Sequence, residues 1–157
     1  MDAVYLTRAG FHKLHDQLEN LKKERLRLAG VIEEARLQGD LSENAEYDAA
    51  KEAQGQVQAR LQDLEGKLAT VRIIEDENIP GDKIFIGAIA ALKDLDTDEE
   101  ITYQFLSAEE ANYEENKISI LSPIGKGLMG KALNEEVTIK VPAGELRYKI
   151  LKIERPK

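Results

Sequence analysis

The sequence predicts an α plus α+β chain: an N-terminal antiparallel coiled-coil hairpin over residues 1–78, then a small α+β domain over 79–157 with a mostly antiparallel sheet. Three observations predict it. Residues 12–77 contain no proline and carry apolar residues at alternating steps of four and three, the 3.5-residue period of a coiled-coil seam. From Pro80-Gly81 onward, β-branched runs are separated by Gly, Pro and Asn, the composition of short strands and turns. With 157 residues, 42% of them hydrophobic, the chain supports one domain or two small ones with modest cores.

The first seam reads Leu14, Leu18, Leu21, Arg25, Leu28, Ile32, Ala35, and the second Tyr47, Ala50, Gln54, Val57, Leu61, Leu64, Leu68, Val71. Between them, Gly39 suits the left-handed residue that ends a helix and Asp40 the cap that starts the next. Helices joined so briefly fold back as an antiparallel hairpin. A helix of about 27 residues is roughly 40 Å long, which places the turn at the far end of a stalk. Near that end the seam weakens to Ala35, Tyr47, Ala50 and Gln54, so the tip contributes little core. Arg25, the one charge in the first seam, is expected to lay its stem along the hairpin and keep its guanidinium in water.

The second half predicts five strands: 84–89, 101–106, 117–121, 137–141 and 147–151. One short helix is predicted to open at Ser107, where Ser107-Ala108-Glu109-Glu110 has a capping-box pattern, and another after Pro123 through Leu128 and Met129. The acidic run Lys93 to Glu100 lacks the central glycine and spacing of a calcium loop and reads as a hairpin connection.

Composition excludes several functions. The 22 Lys and Arg against 30 Asp and Glu give a net charge of −8, unlike proteins that grip a phosphate backbone through counterion release. The absence of cysteine removes disulfides, thiolate zinc sites and thiol nucleophiles. His12 and His15 are the two imidazoles, too few for a histidine metal cage. No apolar run approaches the roughly 18 residues of a membrane span, and the N-terminus lacks the build of a signal peptide, so a soluble cytoplasmic protein is expected.

The densest polar chemistry is Gly39-Asp40-Leu41-Ser42-Glu43-Asn44-Ala45-Glu46-Tyr47, at the hairpin turn. Asp40 and Glu43 can serve as a capping box, with Glu46 adding favourable charge at the helix start. Two carboxylates three residues apart can also offer hard oxygen ligands to Mg²⁺, which accepts one or two carboxylates beside water and phosphate. Such a pair is incomplete alone. Ser42 and Asn44 suit shaping the turn, Tyr47 falls on the seam, and Arg36 and Lys51 are candidates for phosphate contact.

Ala35-Arg36 with the motif 39–47 resembles the tip signature of the bacterial Gre transcript-cleavage factors. The likeness continues through Ser122-Pro123-Ile124-Gly125-Lys126-Gly127-Leu128-Met129-Gly130-Lys131 and Val141-Pro142-Ala143-Gly144 to Tyr148-Lys149-Ile150, and so spans essentially the whole chain. Asn134-Glu135 departs from the family's usual Gly-Asp, which implies a changed turn and not a changed site.

The resemblance implies an FKBP-like second half that binds RNA polymerase, with Ser122 and Pro123 in the docking loop, and a hairpin that reaches through the secondary channel. There Asp40 and Glu43 match the acids that help hold a second Mg²⁺ and its water jointly with polymerase, while the free protein holds none. Polymerase's own centre then hydrolyses backtracked RNA, so the chain is an activator and not an enzyme. The implied partners are bacterial RNA polymerase and the nascent RNA 3′ segment, with no membrane, and the chain itself is a monomer. Ser42, Asn44, Glu46 and Tyr47 support the tip, and Arg36 and Lys51 contact RNA. Between Arg36 and Glu52 those two bases face five acids, which implies a weak hold on the transcript and a preference for short backtracks. A channel-blocking inhibitor, a prolyl isomerase using the second half, and a coiled-coil dimeriser are the competing readings. The Asp40-Leu41-Ser42-Glu43 pattern disfavours the inhibitor, and the scarcity of aromatics in the second half disfavours the isomerase.

Overall fold

The structure, a computed structural model, describes residues 3–38 and 45–156. In chain order it contains β1 (Val4–Leu6), α1 (Arg8–Leu37), α2 (Ala45–Ala69), β2 (Val71–Ile73), β3 (Ile89–Asp94), β4 (Glu100–Leu106), β5 (Lys117–Ser119), α3 (Pro123–Leu128), β6 (Glu136–Val141) and β7 (Gly144–Glu154). These form two compact units. One is Phe11–Thr70; the other is Val71–Lys157 with the N-terminal segment through Gly10.

The first unit is the helical pair. Leu18, Leu28, Ile32 and Ala35 of α1 and Ala50, Leu61 and Leu64 of α2 are buried, all of them seam positions. Leu18 packs with Leu61 and Leu64, flanked by Leu14, Leu21, Val57 and Leu68. The beginning of α1 thus meets the end of α2, as an antiparallel hairpin requires. Arg25 is exposed. The outer faces carry ion pairs one turn apart, Lys22 with Glu19, Arg27 with Glu24 and Lys67 with Asp63. The hydrogen bond from Arg27 holds the Glu24 carboxyl below the usual carboxylate range, although exposed pairs of this kind contribute little to stability.

The helix predicted to run through Glu77 ends at Ala69. Val71, the last seam position in sequence, instead lies in β2, which pairs in parallel with β1 in the register Val4↔Val71, Tyr5↔Arg72, Leu6↔Ile73. Thr70, Val71, Ile73 and Ile74 are β-branched and favour extended backbone once a partner strand is present.

The second unit holds a five-stranded sheet in the order β5-β4-β3-β7-β6. It is mixed: β3–β4, β3–β7 and β6–β7 are antiparallel, while β4–β5 is parallel. Its core gathers Ile84, Leu92, Phe105, Ile118, Leu128, Tyr148 and Ile150. Phe105 and Tyr148, two of the few aromatics an isomerase pocket would need, are spent in this core.

Segment 84–89 is not the predicted strand. Ile84 donates its N–H to Lys131 and accepts from Gly130, the chain turns at Gly87 (φ +92°), and the ladder starts at Ile89. A Cβ at Gly87 would lie 2.8 Å from Ile74 and 2.9 Å from Arg155, so both conformation and space require glycine there. The predicted helix at Ser107 is a single turn closed by Glu110 N–H on the Ser107 carbonyl at 3.1 Å. The capping box fails because the Glu110 carboxylate is taken by Thr7. The acidic run is the β3–β4 connection, with Asp94 Oδ1 accepting from Asp96 N–H at 2.9 Å. β5 stops at Ser119, short of Leu121, and β7 extends to Glu154. Asn134 sits at φ +68°, a left-handed conformation that asparagine tolerates better than most residues.

Candidate functional site

α1 closes with Gln38 N–H on the Ala35 carbonyl at 3.2 Å, and α2 starts at Ala45. Residues 39–44 therefore join the two helix ends. Gly39, Asp40, Ser42, Glu43 and Asn44, with the expected Asp40–Glu43 capping box, lie outside the described residues. Their flanks are described. Ala35 and Ala50 are buried, Tyr47 is half-buried, and Arg36, Glu46 and Lys51 are exposed. Arg36 Nη1 stands 4.0 Å from Glu33 Oε2, a loose ion pair that leaves the guanidinium open to water. Glu46 and Asp48 occupy the first turn of α2, where negative charge offsets the positive helix end. Among the described residues, no group of three or more His, Asp or Glu could hold a metal ion.

A second predicted position is built differently. Ser122 caps α3, its Oγ accepting from Gly125 N–H at 3.1 Å and donating to the Ser119 carbonyl at 2.6 Å. Pro123 takes the first helical position, where its missing N–H costs nothing. A Cβ at Gly125 would overlap the Ser119 carbonyl oxygen, so glycine alone lets α3 lie this close to β5. The Ser122–Pro123 turn is thereby held rigidly, with Leu121 beside it 64% exposed. Ser122→Ala removes both side-chain hydrogen bonds and is expected to cost about 1 kcal/mol, read as a lower urea midpoint at unchanged slope.

Two features of the second unit escaped the sequence reading. An apolar cleft of about 330 Å³ is lined by Tyr5, Ile79, Phe85, Ile86, Ile120 and Met129, residues too scattered along the chain to form a pattern. At the start of α1, Thr7 N–H donates to the Glu110 carboxylate and Arg8 N–H to the Glu75 carboxylate. The available signal was Thr7 directly before a helix whose first turn has no acid of its own.

With the tip position and the α3 turn in place, two family descriptions match the two parts of the chain. "Transcription elongation factor, N-terminal" covers residues 4–73 and "Transcription elongation factor, GreA/GreB, C-term" covers 79–155. The chain belongs to the GreA/GreB family. It is 50% identical over 154 residues to Transcription elongation factor GreA of Chloroherpeton thalassium, covering 98% of each chain. It is 46% identical to the GreA of Chlorobaculum parvum, covering 97% of each. Among solved structures it matches the GreA factor homolog 1 (Gfh1) of Thermus thermophilus at 28% identity and a TM-score of 0.45, covering 97% of this chain and 99% of that one. The two matched spans follow the two-part build of a helical pair followed by a mixed-sheet domain. No helix among the described residues is long and apolar enough to cross a membrane.

Proposed function

We propose that this chain is a transcription elongation factor that binds RNA polymerase and stimulates the polymerase's own cleavage of backtracked RNA. The observation that carries this reading is end-to-end likeness to GreA proteins, at 50% identity over 98% of both chains. The chain retains Asp40-Leu41-Ser42-Glu43 in the short connection between α1 and α2. In this reading the FKBP-like second half, residues 79–157, docks on polymerase through the Ser122–Pro123 turn. The hairpin half, residues 1–78, carries Asp40 and Glu43 through the secondary channel.

The donor chemistry fits Mg²⁺ in part. Two carboxylates suit a hard cation but leave most of its octahedral positions to water and to polymerase. Asp40 and Glu43 would hold the ion there, jointly with polymerase. When bound, Mg²⁺ stabilises negative charge at the phosphodiester and makes its water more acidic. The remaining work belongs to the chain. Ser42 and Asn44 shape the turn, Glu46 and Tyr47 fix the start of α2, and Arg36 and Lys51 meet the RNA 3′ segment from exposed positions. The chain is an activator and not the enzyme.

The test is a stalled, backtracked elongation complex, followed by RNA length with and without the chain. Shortening in its presence is expected, faster for short backtracks than for long ones because two bases face five acids between Arg36 and Glu52. Slowed synthesis without shortening would install the channel-blocking reading instead. Equal rates on long extruded RNAs would reject the weak hold on the transcript.

A further inference from the structure

The sheet of the second unit has two edges, β5 and β6, and they differ. β5 has three residues, and Asn112 closes part of its outer side by exchanging backbone hydrogen bonds with Lys117 at 2.7 and 3.0 Å. β6 has six residues, no proline and an unbroken register with β7, so it lacks most of the devices that blunt an exposed edge. Its hydrogen-bonding parity follows from its neighbour. Ile150 N–H donates to the Glu135 carbonyl at 3.0 Å, and an antiparallel ladder repeats every second residue. Val137, Ile139 and Val141 therefore bond to β7, while the backbone groups of Glu136, Thr138 and Lys140 point away from the sheet. Among the described residues no strand pairs with that side. The side chains of Glu136, Thr138 and Lys140 are also exposed, whereas Val137 and Ile139 are buried in the core.

We propose that β6 is a self-pairing edge, where a second copy of this chain adds its own β6 antiparallel and joins the two sheets. The charges select this occupant. Opposed residues must both turn their backbone groups outward, so the even-numbered positions face one another. With the two-fold axis at Thr138, all three outward positions are used: Thr138 meets Thr138, Glu136 meets Lys140 and Lys140 meets Glu136. Both ends thus carry opposite charges, and a Thr pair sits at the centre, each a favourable cross-strand combination. Parallel pairing in register would oppose Glu136 with Glu136 and Lys140 with Lys140. An edge lysine ordinarily repels an incoming strand, but here the second copy brings the acid that neutralises it. The interface is isologous and closes after two copies. One strand edge buries less than the roughly 1,200 Å² of a stable complex, so the pair exchanges with monomer. This association is independent of the proposed function and goes beyond the monomer that the sequence resemblance implies.

Sedimentation velocity of the full chain from about 1 µM to about 1 mM tests it. The sedimentation coefficient should rise with concentration toward a dimer and no further. Lys140→Glu and Glu136→Lys each turn two attractive pairs into repulsive ones, and each should weaken association at least about tenfold. Two results should reverse that loss. The double variant Glu136→Lys with Lys140→Glu has the parental net charge and again opposes unlike charges, so it should dimerise like the parent. An equimolar mixture of the two single variants should form a mixed dimer, because every opposed pair in it is unlike, although neither variant associates alone. A parent that stays monomeric to about 1 mM overturns the proposal. So does association that the single variants leave unchanged, which would place the contact elsewhere on the chain, or a mixture that behaves as the sum of its parts.

Discussion

Asp40→Asn and Glu43→Gln are each expected to lower the stimulated cleavage rate at saturating concentration by about 100-fold, the upper range for disturbing the support of a catalytic metal. The substitutions are chosen for what they keep. Asparagine caps a helix as well as aspartate, and glutamine can still fill the third position of a capping box, so the start of α2 should survive either change. What each removes is one negative charge and one hard donor. Half-saturating concentration on polymerase should stay within about twofold, because the proposed docking turn at Ser122 and Pro123 is untouched. Raising the Mg²⁺ concentration should restore part of the lost rate, since a weakened site refills by mass action. Parental rates in both variants would mean that capping is all these acids do.

The fold was most legible where one face of one element repeats. The seam positions Leu18, Leu28, Ile32, Ala35, Ala50, Leu61 and Leu64 are buried as their spacing predicts, because a helix buries its stripe whatever lies elsewhere in the chain. Ser122-Pro123 was legible as a helix start for the same local reason. Legibility failed wherever a distant partner decides the outcome. Val71 keeps the seam's rhythm yet pairs with Val4, and no window of sequence around Val71 contains Val4. Glu110 fits a capping box with Ser107, but Thr7 competes for its carboxylate and wins with two hydrogen bonds. Segment 84–89 is apolar enough for a strand, yet Gly87 turns the chain against Ile74 and Arg155. At the tip, the sequence located Asp40 and Glu43 between two helices, and the ends at Leu37 and Ala45 agree with that position.

Gly125→Ala is expected to be the most damaging single methyl that can be added to the second unit. The new Cβ would overlap the Ser119 carbonyl oxygen and lie 2.9 Å from Ile120 Cα and 3.0 Å from Ser119 C. These are backbone atoms. The carbonyl is pinned further by Ser122 N–H at 3.0 Å and Ser122 Oγ at 2.6 Å, so the strain must go into lifting α3 from β5. The cost should reach about 3 kcal/mol, the upper end for overpacking, which for a domain of this size is roughly 10–20 °C in Tm. Polymerase affinity should fall with it, since the same shift moves the Ser122–Pro123 turn. Two other glycines calibrate the argument. At Gly127 the Cβ would meet Ile139 Cγ1 at 2.7 Å, a side chain that can yield, so Gly127→Ala should cost about 1 kcal/mol. Gly55 has nothing within 4 Å of its Cβ position, so Gly55→Ala should stabilise α2 by about 0.8 kcal/mol through helix propensity. Unfolding the three variants side by side tests the ranking. A Gly125→Ala protein as stable as Gly127→Ala would show that α3 can lift from β5 freely, and that glycine is not what holds the docking turn in place.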